Sequence, residues 1–164
     1  MIAHGNATLA SNADTAVVQA DIRNPDAVLG TAKARRLLDP SRPTGILLTS
    51  VLHHLHDDDD PHGIARAYVE RFPAGSMLAV SHFPVPADGG PLARQAAGVE
   101  RALVAGLGSG WFRSRAAIAA FFDGLDLDEQ GLVPMSPWRR DHGPVSSELA
   151  LAPLMLCGLA HKPR

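Results

Sequence analysis

His53, His54, His56, Asp57, Asp58, Asp59, Asp60 and His62 crowd one short stretch, HHLHDDDDPH. Imidazole and carboxylate are ligands that zinc, iron or manganese accept. The spacing matches no ligand pattern such as H-E-x-x-H, and so many groups in succession cannot converge on one ion. A plainer chemistry is available. Asp57 to Asp60 precede Pro61, and carboxylates at the positive end of a helix each contribute about 0.3–1 kcal/mol. The stretch therefore reads as a helix start, and no metal is expected.

Other candidates are scattered. Asp21 closes an apolar run and could accept a hydrogen bond from the exocyclic amine of a base, or be a solvated loop acid. Gly106-Leu107-Gly108-Ser109-Gly110 has the composition of a phosphate loop. Such glycines carry that meaning only between a strand and a helix, and here they follow a helical pattern. Ser81 and His82 end a strand and could approach a ligand, but G-x-S-x-G is absent, so nothing supports a hydrolase. Trp111 and Trp138 fall in loops, as core anchors or pocket walls.

The elements that must position these residues alternate. Thr15 to Asp21 predicts a short strand, and Asn24 caps a helix with Pro25 at its first position and Asp26 in its first turn. TGILLTSVLHHLHDDDDP (Thr44–Pro61) carries a continuous apolar run, as in a strand buried on both faces. In open α/β sheets ligands bind beyond the carboxyl ends of such strands, which puts Thr49 to His56 where chemistry would occur. Asp60 and Pro61 open a second helix, with Ile64, Tyr68 and Phe72 on one face. Met77 to Phe83 predicts another buried strand, and Leu92, Ala96, Val99, Leu103 and Leu107 a third helix. Ser114 caps a short fourth. Leu125 to Val133 alternates like a less buried strand, and a last strand falls within Leu149 to His161. The order β-α-β-α-β-α-α-β-β predicts an α/β fold: a mostly parallel sheet between helices, closed by an antiparallel pair.

With 164 residues, 46% of them apolar, the chain suits a single domain, residues 1–164. A net charge of −2 gives no electrostatic case for nucleic acid or an anionic membrane. Cys157 is the one cysteine, which excludes an internal disulfide and suits a reducing cytosol. The opening MIAHGNATLASNAD lacks the basic start and apolar block of a secretory signal. Leu149 to Ala160, broken by Pro153, is too short to span a bilayer. A soluble, cytoplasmic protein is expected.

Several stretches together carry a resemblance: VVQADIRNPDAVL (Val17–Leu29), RPTGILLTSVLHHLHDDDDP (Arg42–Pro61), AGSMLAVSHF (Ala74–Phe83), RSRAAIAAFFDGLDLDEQGLVPMSPWRRD (Arg113–Asp141) and the final CGLAHKP. In this order and spacing the chain resembles a family of bacterial S-adenosylmethionine-dependent methyltransferases, class I enzymes on a Rossmann-like sheet whose methyl acceptor is generally unassigned. The resemblance implies S-adenosylmethionine as cofactor and a small-molecule substrate. Asp21 would meet the adenine amine and Ile22 a ring nitrogen through its N–H. Ser50 and Val51 would lie along the methionine part of the cofactor, with His53 nearest the substrate. It implies no catalytic base. The family's first strand, glycine-rich turn, helix and acid-ended second strand have no counterpart before Met1, so the fold is expected to lack its N-terminal portion. The alternative to an enzyme is then a non-catalytic remnant, or a binding protein that depends on another copy or a partner chain covering the exposed sheet.

Overall fold

The computed structural model describes residues 12–135 and 154–164. Most of the opening MIAHGNATLASNAD and the loop tryptophan Trp138 lie outside the described residues.

Local signals set most of the elements. Asn24 Oδ1 accepts from the Ala27 N–H at 3.0 Å and opens helix α1, Pro25–Leu29. The sequence pattern suggested one helix here. Instead the chain stops at Gly30, and Thr31 Oγ1 accepts from Ala34 N at 3.2 Å to start α2, Ala32–Leu37. The extended strand β1, Gly45–Thr49, follows. Asp60, at φ +51°, caps α3, Pro61–Glu70, through Gly63 N at 2.9 Å. Then come β2, Met77–His82, and α4, Pro91–Leu107, which Gly108 ends in the left-handed conformation at φ +71°. The Gly106–Gly110 run is thus a helix end. Ser114 Oγ accepts from Ala117 N at 3.1 Å to cap α5, Arg115–Ala119.

Leu125 to Val133, expected as one strand, is two short ones: β3, Asp126–Leu127, and β4, Val133–Pro134. A turn between them, with Gly131 N donating to Asp128 O at 2.7 Å, takes up the intervening residues. Both pair antiparallel with the final strand β5, Leu156–His161. The open five-stranded sheet runs β1-β2-β5-β3, with β4 also on β5. β1 and β2 are parallel and β5 is antiparallel to β2. This is an α/β fold with a parallel pair, β1 and β2, at one margin of the sheet and antiparallel closing strands.

Two cores result from the pleat. Ile46 and Leu48 of β1, Leu78 and Val80 of β2, and Ala160 of β5 share one face. They pack against Ile64, Tyr68 and Phe72 of α3 and against Ile118, Phe121 and Phe122. Gly158 admits the Phe122 ring, which a Cβ there would meet at 2.9 Å. A second cluster joins Phe83, Phe112, Leu154 and Met155 to Ala96 of α4, beyond the carboxyl end of β2. Cys157 is buried, its thiol directed to Val133 O at 3.7 Å, and burial pushes its pKa up to about 11.

Two expectations need correction. Thr15 to Asp21 forms no ladder. Side chains of α2 hold this stretch instead, with Lys33 Nζ donating to Val17 O at 3.1 Å. β1 is not buried on both faces: Ile46 and Leu48 are buried, while Gly45, Leu47 and Thr49 are exposed. Among the described residues it is the outermost strand and has no neighbour on one side, and its second face is uncovered along its whole length.

Candidate functional site

The carboxyl ends of β1 and β2 meet in a rim built by short-range geometry. Ser50, just past β1, adopts φ +54°, a conformation rare for a residue with a Cβ. Its N–H donates to Ser81 Oγ at 2.9 Å, so the hydroxyl at the end of β2 pins the turn. Val51 leads into a single tight turn, Leu52–His54.

His53 is only 3% exposed, and its Nδ1 has no hydrogen-bond partner. Its ring packs edge-on to Phe83 at 5.0 Å and against His54 at 4.3 Å. Burial, with a smaller contribution from the Arg113 guanidinium among its neighbours, lowers its pKa to about 4. It is neutral at physiological pH.

Arg113 organises this region, and nothing in the sequence singled it out. It sits in the loop between α4 and α5, where Arg113 N donates to Phe83 O at 3.2 Å and Val85 N to Arg113 O at 2.8 Å. Its side chain is 4% exposed. Nη1 donates to Leu52 O at 3.1 Å and Nη2 to Leu55 O at 2.8 Å, while Nε and Nη2 both reach Asp57 Oδ1. Nη1 also lies 2.9 Å from His82 Nε2. A guanidinium can only donate, so His82 Nε2 accepts, and its Nδ1–H donates to Phe83 O at 3.0 Å. Burial and the arginine keep His82 neutral, with a pKa of about 4. The one guanidinium thus ties the segment after β1 to the end of β2.

The acidic run divides its work. Asp57 pairs with Arg113, whose hydrogen bonds hold its carboxyl below the usual range. Asp59 Oδ2 accepts from His56 N at 3.0 Å, closing a turn over Asp57–Asp59. Only Asp60 caps α3. The expectation that all four serve that helix is therefore too simple. Among the described residues no group of three or more His, Cys, Asp or Glu could hold a metal ion.

Asp21 and Ile22 lie on the same rim, since Arg23 bridges Asp21, at 2.6 Å, to Asp59, at 3.3 Å. Hydrogen bonds from Arg23 lower the Asp21 pKa. The Ile22 carbonyl accepts from the Tyr68 hydroxyl at 3.1 Å. Among the described residues the Ile22 N–H has no partner. Trp111 N donates to His53 O at 2.7 Å, and its indole meets His56 edge-on at 5.0 Å. Trp111 is therefore a wall of the rim.

An α/β sheet with a candidate site along its carboxyl rim defines a broad class of ligand-binding domains. The family described as S-adenosyl methyltransferase matches residues 1–163, and the chain belongs to that family. Two solved structures are similar at 31% identity. One is a candidate methyltransferase from Thermobifida fusca, with a TM-score of 0.83 over 99% of this chain and 59% of that one. The other is a DUF574 family protein from Streptomyces avermitilis, with a TM-score of 0.78 over 89% of this chain and 54% of that one. The chain thus spans little more than half the length of either. CalO1, a methyltransferase of calicheamicin biosynthesis solved with SAH bound, shares the fold at 20% identity and a TM-score of 0.51. No match is found among the curated proteins. Among the described residues no helix is long and apolar enough to cross a membrane.

Proposed function

We propose that this chain binds S-adenosylmethionine along the rim formed by Asp21, Ile22, Ser50, Val51 and His53, and serves methyl transfer to a small-molecule acceptor in the cytoplasm. The observation that carries the reading is the Ser50 turn, strained and held by Ser81, at the end of the strand where open α/β sheets bind ligands. The residues present suit the cofactor in two of its parts. The Ile22 N–H lacks a partner and can meet an adenine ring nitrogen, while Asp21, though engaged by Arg23, keeps lone pairs for the exocyclic amine.

When bound, the cofactor supplies an electrophilic methyl group on a sulfonium sulfur. The chain's contribution is alignment, which can supply roughly 7–11 kcal/mol of a barrier. His53, neutral and buried, borders the place where the acceptor would lie. We assign it no proton transfer.

Calorimetric titration with S-adenosylmethionine tests the reading. Binding is expected, and Asp21→Ala should weaken it about tenfold, as for the loss of one hydrogen bond to a charged group. An unchanged affinity in the variant would remove Asp21 from the site, and no binding by the parent chain would overturn the cofactor reading.

A second reading has its own support. The uncovered side of β1 favours a chain whose binding surface is completed by another copy or by a partner polypeptide.

A further inference from the structure

Two guanidinium groups flank an apolar cavity at the end of the fold away from the rim. The cavity holds about 470 Å³ and is lined by Leu29, Leu38 and Phe72, with Arg35, Arg71 and Asp26 around them. Phe72 is buried and Leu38 is exposed, which makes one the base and the other the mouth. Small-molecule pockets span roughly 300–1,000 Å³ and are likewise apolar with a few polar groups. Leu38 precedes β1, while Arg71 and Phe72 follow α3 and precede β2. Ser50 and Val51 lie past the other end of β1, so the ten residues of α3, about 15 Å of helix, part the cavity from the rim.

The two arginines are not equivalent. Arg71 is engaged: Nε and Nη2 donate to Asp26 Oδ1 at 3.1 and 2.7 Å, and Nη1 to Ala67 O at 3.5 Å. The Arg35 guanidinium has no hydrogen-bond or ion-pair partner among the described residues. Its Nη2 nevertheless lies only 3.6 Å from where a Cβ on Gly30 would stand. The bare backbone at the end of α1 thus seats it against the cavity wall.

The Arg71–Asp26 pair cancels, which leaves Arg35 as one unmatched positive charge beside apolar surface. The surroundings have the same sign. Thr31 to Pro43 carries Lys33, Arg35, Arg36 and Arg42 against Asp39 alone, in a chain of net charge −2. A guanidinium offers a fork of donors that matches the two oxygens of a carboxylate. Asp26 Oδ2 accepts no bond among the described residues and would repel a second negative charge in the ligand.

We propose that this cavity binds an apolar monoanion, with an alkyl body against Leu29, Leu38 and Phe72 and a carboxylate on the Arg35 guanidinium. The site is separate from the S-adenosylmethionine rim and does not rest on that reading.

Octanoate is the probe, titrated into the 164-residue chain near neutral pH while methyl resonances are followed. The Leu29 and Leu38 methyls should shift and saturate, and those of Leu125, in a different cavity, should stay in place. Arg35→Glu should weaken binding by about tenfold or more, as for the loss of a hydrogen bond to a charged group. Leu38→Asp should weaken it as well. Arg101→Glu, at an exposed cation on α4, should leave it unchanged. Circular dichroism of each variant establishes that it is folded. 1-Octanol, with the same body and no charge, should bind more weakly than octanoate. So should octyl phosphate, whose charge at pH 7 is about −1.5 to −2. The proposal is overturned if octanoate leaves Leu29 and Leu38 unmoved, if Arg35→Glu binds like the parent, or if octanol binds as well as octanoate. Tighter binding of octyl phosphate overturns the assignment to a monoanion. Displacement of octanoate by S-adenosylmethionine puts the probe on the rim and overturns the separate site.

Discussion

β1 is two different strands depending on the direction from which it is approached. At its carboxyl end backbone groups that leave the ladder are caught by side chains: the Ser50 N–H by Ser81, and the Leu52 and Leu55 carbonyls by Arg113. Along its outer side Gly45, Leu47 and Thr49 offer backbone groups that nothing among the described residues takes. The rim is over-determined and the edge under-determined, within a single five-residue strand. Groups that must hold a fixed geometry are pinned by buried partners, whereas a surface left unpaired can still accept one.

The contrast is broken most directly at Arg113. Arg113→Ala strands the Leu55 carbonyl and His82 Nε2, takes one of two donors from the Leu52 carbonyl and unpairs Asp57, and should destabilise the chain by about 3–5 kcal/mol in urea unfolding, most of it from the buried acceptors. The Asp57 share is small, because that carboxylate is 81% exposed and solvent-screened. A loss below about 1 kcal/mol would show that the rim does not depend on the clamp.

Acid should attack the same place. His53 and His82 have folded pKa values near 4, below the 6.5 of an unperturbed histidine. Between those values the unfolded chain binds more protons than the folded one, so stability is present above about pH 6.5 and falls as pH drops toward 4. The slope should reach at most about 1.4 kcal/mol per pH unit for each histidine. Replacing His82 with Gln should flatten the curve, and an unchanged pH profile would mean that the imidazole is not held neutral.

The smallest effects sharpen the comparison within the strand itself. Ile46→Val, on the covered face, should cost about 0.5–1.5 kcal/mol, and Leu47→Val, on the open side, should stay within about 0.5 kcal/mol. Equal costs would mean that Leu47 is packed in solution.

The sequence announced what depends on near neighbours. Asn24, Asp60 and Ser114 were readable as caps because a cap and its target lie within a few residues. Ile64, Tyr68 and Phe72 were readable as a core face because helical spacing alone puts them together. Arg113 was not readable. Its partners Leu52, Leu55, Asp57 and His82 lie far away along the chain, and an arginine beside Phe112 carries no local mark. Nor could an apolar run such as ILL distinguish an edge strand from a central one, since that depends on whether a neighbour pairs with it. The same limit accounts for Thr15 to Asp21, whose strand-like composition meets no ladder. Of the candidate site, the stretch Thr49 to His56 followed from its position after a strand, and the choice of Ser50, Val51 and His53 within it from the family resemblance. The Arg23 bridge from Asp21 to Asp59 was legible only in three dimensions.

Cys157 gives the molecule a gauge of its own motions. It is the single cysteine of the chain, sits mid-sheet on the strand that joins β2 to β4, and carries a thiol that burial holds at a pKa of about 11. Only the thiolate reacts with alkylating or disulfide reagents, so the folded chain is nearly inert toward them. Labelling then proceeds at the rate at which β5 parts from its neighbours, and one sulfur atom becomes a clock for the opening of the sheet.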